Sequence, residues 1–142
     1  MTANDVFDWG SIAVGTTFTA ARTFTTGDLD EFARLSGDDN PLHMDRAFAV
    51  AKGFADRVVY GGLLVAHISK AIGTQFPATR GLWHSLNIRF MRPVHPGQEV
   101  ILSMTVKQVS EATRSVVLGC VCARDEAVVA KGDATVVLFK DA

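Results

Sequence analysis

The sequence predicts an α+β domain, an antiparallel sheet of about five strands curled around one buried helix. Three observations predict it. The chain changes character once, near residue 80, reading mostly helical before that point and as strands after it. Gly61–Gln75 is apolar nearly all round: Leu63, Leu64, Val65, Ala66, Ile68, Ala71 and Ile72 leave almost no polar face. A helix of that kind is buried rather than laid on a surface. The remainder alternates with period two, in runs separated by short turn signals, which makes neighbouring strands antiparallel.

Each element has its own signal. Thr16–Phe24 alternates, with Phe18, Ala20 and Phe24 on one face, and predicts a first strand. Thr25 and Asp28 have capping-box spacing, and Leu29, Phe32 and Ala33 then recur at helical spacing. Ser36-Gly37 should end that helix, because glycine is a common C-terminal cap. A loop, Asp38–Met44, follows with a turn at Asn40-Pro41. Asp45 can cap a short helix running to about Lys52, with Gly53 ending it. The apolar helix opens at Gly61-Gly62 and would span ~20 Å. Four strand faces follow. The first holds Leu82, Leu86, Ile88 and Phe90; the second Val100, Leu102, Met104 and Val106. The third holds Val116, Leu118 and Cys120, and the last Val128, Ala130, Val136 and Leu138. Turns are expected at Pro93 to Gly97, Ser110 to Thr113 and Arg124 to Glu126.

The totals bound the function. A chain of 142 residues reads as one domain, 1–142, large enough to bury a core without staples. With 48% hydrophobic and 20% charged residues it is ordinary globular material. The net charge is −1 and there is no basic run, so nothing draws it to nucleic acid or an anionic membrane. No apolar run reaches the ~18 residues of a membrane span, and MTANDVFDWG has no apolar leader core, so the expected compartment is the cytoplasm. Cys120 and Cys122 share one strand face and read as small apolar residues. His43, His67, His84 and His95 form no metal-ligand spacing, and no P-loop, G-x-G-x-x-G or G-x-S-x-G occurs. No metal or cofactor is expected.

The candidate chemistry lies in Ser36–Asp45, SGDDNPLHMD. Asp38 and His43 are a carboxylate and an imidazole able to reach one water, taking a proton from it and delivering one elsewhere. Asp38 also has a bland reading, satisfying backbone donors in the loop, and His43 one as a surface residue. The N-terminus of the apolar helix supplies the other half of a site. Its first N–H groups are unpaired and carry about half a positive charge, which suits a developing negative charge. Gly61 there lets a substrate approach the backbone closely.

SGDDNPLHMD followed by GGLLVAHISKAIG resembles the MaoC-like (R)-specific 2-enoyl-CoA hydratases, a family with the hot-dog fold. The family's signature, Ser-Gly-Asp-x-Asn-Pro-x-His-x-Asp, is met at Ser36, Gly37, Asp38, Asn40, Pro41, His43 and Asp45. The resemblance extends through RFMRPVHPG and covers about Thr16 to Val100. It implies reversible hydration of trans-2-enoyl thioesters, on CoA or acyl carrier protein, to (R)-3-hydroxyacyl thioesters. Asp38 and His43 would be the catalytic dyad, Asn40 would fix the loop, and Gly61 would bind the thioester carbonyl. Ser69 aligns with a serine that supports the carboxylate, or is a buried serine bonded one turn back. Tyr60 stands where related hydratases carry histidine; it bears on pocket shape, or is a half-buried aromatic with its hydroxyl in water. Ile72 either limits acyl length or is core packing. The resemblance also implies a homodimer. Arg89 and Arg92 could reach a phosphate or face solvent. A hot-dog thioesterase and a non-catalytic acyl-thioester-binding module are the competing readings.

Overall fold

The computed structural model describes residues 12–75 and 81–140; the N-terminal stretch MTANDVFDWG lies outside them. Strand β1 (Thr17–Thr23) leads into helix α1 (Thr26–Ser36). Two short helices follow, α2 (Pro41–Met44) and α3 (Arg46–Ala51), and then α4 (Gly61–Thr74). Strands β2 (Gly81–Phe90), β3 (Glu99–Ser110), β4 (Ser115–Arg124) and β5 (Ala127–Leu138) complete the chain. The five strands form one antiparallel sheet in the order β1-β3-β4-β5-β2. This is the α+β hot-dog arrangement.

Alternation predicts the inner face of β3 and β4 well. Val100, Leu102, Met104, Val106, Val116, Leu118, Cys120 and Cys122 are all buried. They join Leu64, Ile68, Ala71 and Ile72 of α4 in one apolar cluster. Burial of that order contributes about 1.5–3 kcal/mol per large side chain. Burial also pushes the Cys120 thiol up to about 12 and the Cys122 thiol up to about 11.

Two faces differ from strict alternation, for the same reason. The β2–β5 register breaks between Trp83 and Ser85, leaving His84 as an extra residue. A bulge reverses the faces on either side of it. Leu82 therefore points outward, 64% exposed, while Trp83, opposite buried Val136, packs against the core. On β5 the register skips Val129 beside Cys122, and Val129 rather than Val128 is fully buried.

Helix α4 is less enclosed than its composition predicts. Leu64, His67, Ile68, Ala71 and Ile72 face inward, but Gly62, Ala66, Ser69 and Lys70 are exposed in the single chain. The exposed face is made of small residues and a few polar ones, Ser69, Lys70 and Thr74 among them, too few to stand out as a polar stripe in the composition. Among the described residues no helix is long and apolar enough to cross a membrane, and no cluster of His, Cys, Asp or Glu could hold a metal.

Candidate active site

The 36–45 pattern is a chain of local side-chain-to-backbone hydrogen bonds. Helix α1 starts in a capping box: Asp28 N–H donates to Thr25 Oγ1 at 3.1 Å, and Thr25 N–H to Asp28 Oδ2 at 2.8 Å. That backbone donor from Thr25 is the main reason the Asp28 carboxyl is held below its usual range. The helix ends at Gly37, whose φ of 77° is the left-handed region that glycine adopts without strain. Ser36 Oγ then accepts from Asp38 N–H at 3.1 Å, and Asp38 Oδ1 accepts from Asn40 N–H at 3.1 Å. Asn40 Oδ1 caps α2 by accepting from Leu42 N–H at 3.0 Å, with Pro41 filling the first helical position. Asp45 Oδ1 caps α3 by accepting from Phe48 N–H at 3.2 Å. Each fixed polar residue thus turns the backbone two or three residues ahead of it.

This geometry carries His43 into a half-buried position on α2. Its Nδ1 lies 2.5 Å from the Val58 carbonyl oxygen. A carbonyl only accepts, so Nδ1 must carry the proton, which makes Nε2 the nitrogen able to accept one. Asp38 is exposed in the single chain, and no hydrogen bond joins it to His43. The Asp38 carboxylate is therefore open to solvent in the single chain, while the His43 ring is half-buried.

Arg57 is a site residue that the sequence reading missed. Its side chain is only 12% exposed and bridges three segments. Nε donates to the His43 carbonyl at 2.5 Å and Nη2 to Asp30 Oδ1 at 2.7 Å, while the Arg57 carbonyl accepts from His95 Nδ1 at 2.9 Å. These partners are far away in sequence, and no local pattern marks the residue.

Tyr60 departs from expectation. It is 2% exposed, not half-buried, and its hydroxyl is not in water. The hydroxyl donates to the Asp38 carbonyl at 2.6 Å, and the ring stacks on the His43 imidazole with centroids 4.0 Å apart. Burial is the main cause that pushes its phenol above the usual range.

Gly61 begins α4, and no acceptor among the described residues takes its N–H or that of Gly62. The glycine pair also has a packing role. A Cβ on Gly61 would meet Phe90 Cζ at 3.0 Å, and one on Gly62 would meet Phe32 Cζ at 2.5 Å. Aromatic rings therefore lie against both residues.

His43 and Gly61 line the same cleft, of about 330 Å³, with Leu42, Val58, Phe90 and Arg92. Asp38 sits on the loop outside that lining, and Tyr60 lies beneath it rather than in it. Ser69 is exposed and makes no side-chain hydrogen bond among the described residues, so it is not the buried serine one reading required. Ile72 is 3% exposed within the core and does not line the cleft. Arg92 donates to the Val128 carbonyl at 2.5 Å, whereas Arg89 borders a separate depression on the sheet.

A hot-dog sheet with a helix N-terminus and a histidine lining one cleft defines the class of fold the chain adopts. Within it, the chain belongs to the family described as the MaoC like domain, which matches residues 11–126. An (R)-specific enoyl-CoA hydratase of Rhodospirillum rubrum is 30% identical, over 89% of this chain and 88% of the relative. A 3-hydroxybutyryl-CoA dehydratase of Methylorubrum extorquens is 30% identical, over 88% of this chain and 80% of the relative. The solved structure of an (R)-hydratase from A. caviae superposes with a TM-score of 0.86 at 31% identity, covering 91% of this chain and 98% of that one.

Proposed function

We propose that the protein is a lyase that interconverts trans-2-enoyl thioesters and (R)-3-hydroxyacyl thioesters. The carrying observation is the shared cleft: His43 and Gly61, whose N–H has no acceptor among the described residues, line one space. The enoyl thioester would lie between them with its carbonyl on the Gly61 N–H. Water, activated by Asp38 and His43, adds its oxygen to C3, and a proton reaches C2 as the double bond is lost. The charge passing onto the thioester oxygen meets the positive end of α4. Asp38 and His43 act as one coupled unit in this scheme. Family membership and the names of the relatives support the reaction class; the dyad rests on the loop pattern.

The assay is loss of the enoyl absorbance of crotonyl-CoA and of longer enoyl-CoAs. Wild type is expected to hydrate at least one of them, and Asp38→Asn to lose about 10²–10⁴ of the rate while keeping wild-type stability. An inert wild type on short, medium and long substrates overturns the reaction. Full activity in Asp38→Asn overturns the dyad alone, and release of free thiol instead of hydration would mark a thioesterase.

The working unit we propose is a homodimer. Strand β2 is an edge with one unpaired side, and the apolar residues Phe90 and Met91, 53% and 49% exposed, stand at that edge beside the cleft. Sedimentation equilibrium is expected to give twice the chain mass; a monomer at micromolar concentration would contradict it.

A further inference from the structure

Tyr60 touches every part of the proposed site without lining the cleft. Its hydroxyl holds the backbone of one dyad residue, donating to the Asp38 carbonyl at 2.6 Å, with Met44 Sδ at 3.3 Å as a second neighbour. Its ring supports the other, lying 4.0 Å from His43 and inclined by only 25°. Its carbonyl accepts from Leu63 N–H at 3.0 Å and so begins the first turn of α4, which opens at Gly61. Phe32 clamps the ring from another side at 4.6 Å.

From this convergence we propose that Tyr60 is the positioning residue of the site, setting the distance between the Asp38 loop, the His43 ring and the start of α4. The proposal rests on the hydratase reading above. The physical need is clear from the loop itself. Asp38 is exposed and sits on bonds that reach only two residues along the chain. Local bonds shape a turn but do not fix it relative to another element. The Tyr60 hydroxyl supplies a long-range bond to the loop, from 22 residues away. At a position 2% exposed, water does not take the place of the phenol hydroxyl once it is removed. A loop released by even a small displacement loses reactive geometry before it loses its fold.

Two variants separate the hydroxyl from the ring. Tyr60→Phe keeps the stack and removes only the hydroxyl's contacts, the bond to the Asp38 carbonyl and the weaker approach to Met44 Sδ. It is expected to lower kcat about tenfold with KM within about twofold, at a temperature where circular dichroism shows the variant fully folded. Tyr60→Leu removes the stack as well, and is expected to lower kcat further. The spectroscopic readout is the His43 imidazole proton signals, shifted upfield by the ring stacked on them. They should stay in place in Tyr60→Phe and move downfield in Tyr60→Leu. A folded Tyr60→Phe with wild-type kcat overturns the role of the hydroxyl, and unmoved His43 signals in Tyr60→Leu overturn that of the ring. An active wild type beside an unaffected Tyr60→Phe leaves the hydratase reading standing. An inert wild type removes that reading, while the imidazole signals still decide whether the ring holds His43.

Discussion

The β2–β5 ladder and the segment 36–60 are both irregular at one point, but they are held in different ways. In the ladder, backbone pairs run from Gly81↔Leu138 to Phe90↔Ala130, and the bulge at His84 interrupts them only once. Each pair repeats a constraint that its neighbours already impose. In the segment, position depends on single side chains: Ser36, Asp38, Asn40 and Asp45 turn the chain locally, Arg57 and Tyr60 tie its far end back to His43 and Asp38, and Arg57 also reaches Asp30 of α1. A change in the ladder should therefore be felt as stability. A change in the segment should be felt as rate.

Two substitutions test that contrast, and a third probes a cap that lies outside both regions. The largest effect belongs to the ladder. A Cβ on Gly132 would stand 1.8 Å from the Asn87 carbonyl oxygen and 2.8 Å from Ile88 Cα, both backbone atoms of the neighbouring strand. Gly132→Ala is expected to lower the unfolding free energy by about 3 kcal/mol, the upper end of overpacking costs. A urea midpoint within about 0.5 kcal/mol of wild type would show that the two strands separate easily, against the contrast. Arg57→Met comes next. It removes the donors to the His43 carbonyl and Asp30, and should cost about 1–2 kcal/mol of stability. Hydration should also slow about tenfold as α2 loosens. Equal loss in stability with no change in kcat would make Arg57 scaffold only.

The smallest effect is at the start of α1. The Asp28 carboxyl titrates below its ordinary 3.8 in the folded chain. Its ionised form therefore adds stability above that pH, and the contribution fades as pH falls through the folded value. Asp28→Asn should cost about 0.5 kcal/mol at pH 6. Thermal melts from pH 6 to pH 2 should show the gap between wild type and variant closing below about pH 4. A gap independent of pH would assign the cap to geometry rather than charge.

Much of the fold was legible because period and capping are local. The capping box at Thr25 and Asp28, the stop at Gly37 and the inner faces of β3 and β4 all follow from residues a few positions apart. The bulge at His84 was not legible, because a single inserted residue leaves the surrounding composition unchanged while it reverses Leu82 and Trp83. The site divides along the same line. The loop pattern and the Gly61 helix start were visible as short motifs. The bond from Tyr60 to Asp38 and the Arg57 bridge are long-range, so Tyr60 read as a pocket-shaping residue or a half-buried aromatic with its hydroxyl in water, and Arg57 did not register. Ser69 and Ile72 show a further limit: the phase of a nearly all-apolar helix is set by its neighbours, which put Ser69 outside and Ile72 in the core.

The two buried cysteines carry a chemical consequence. A thioester is an activated acyl group, and the nucleophile that captures it most readily is another thiolate. With thiols pushed up to about 11 and about 12, Cys122 at pH 7 is ionised in about one molecule in 10⁴ and Cys120 in about one in 10⁵. Both side chains are also 1% exposed, on the inner face of β4. A protein that handles acyl thioesters all its life thus keeps its own sulfur out of the exchange, and is protected from acylating itself.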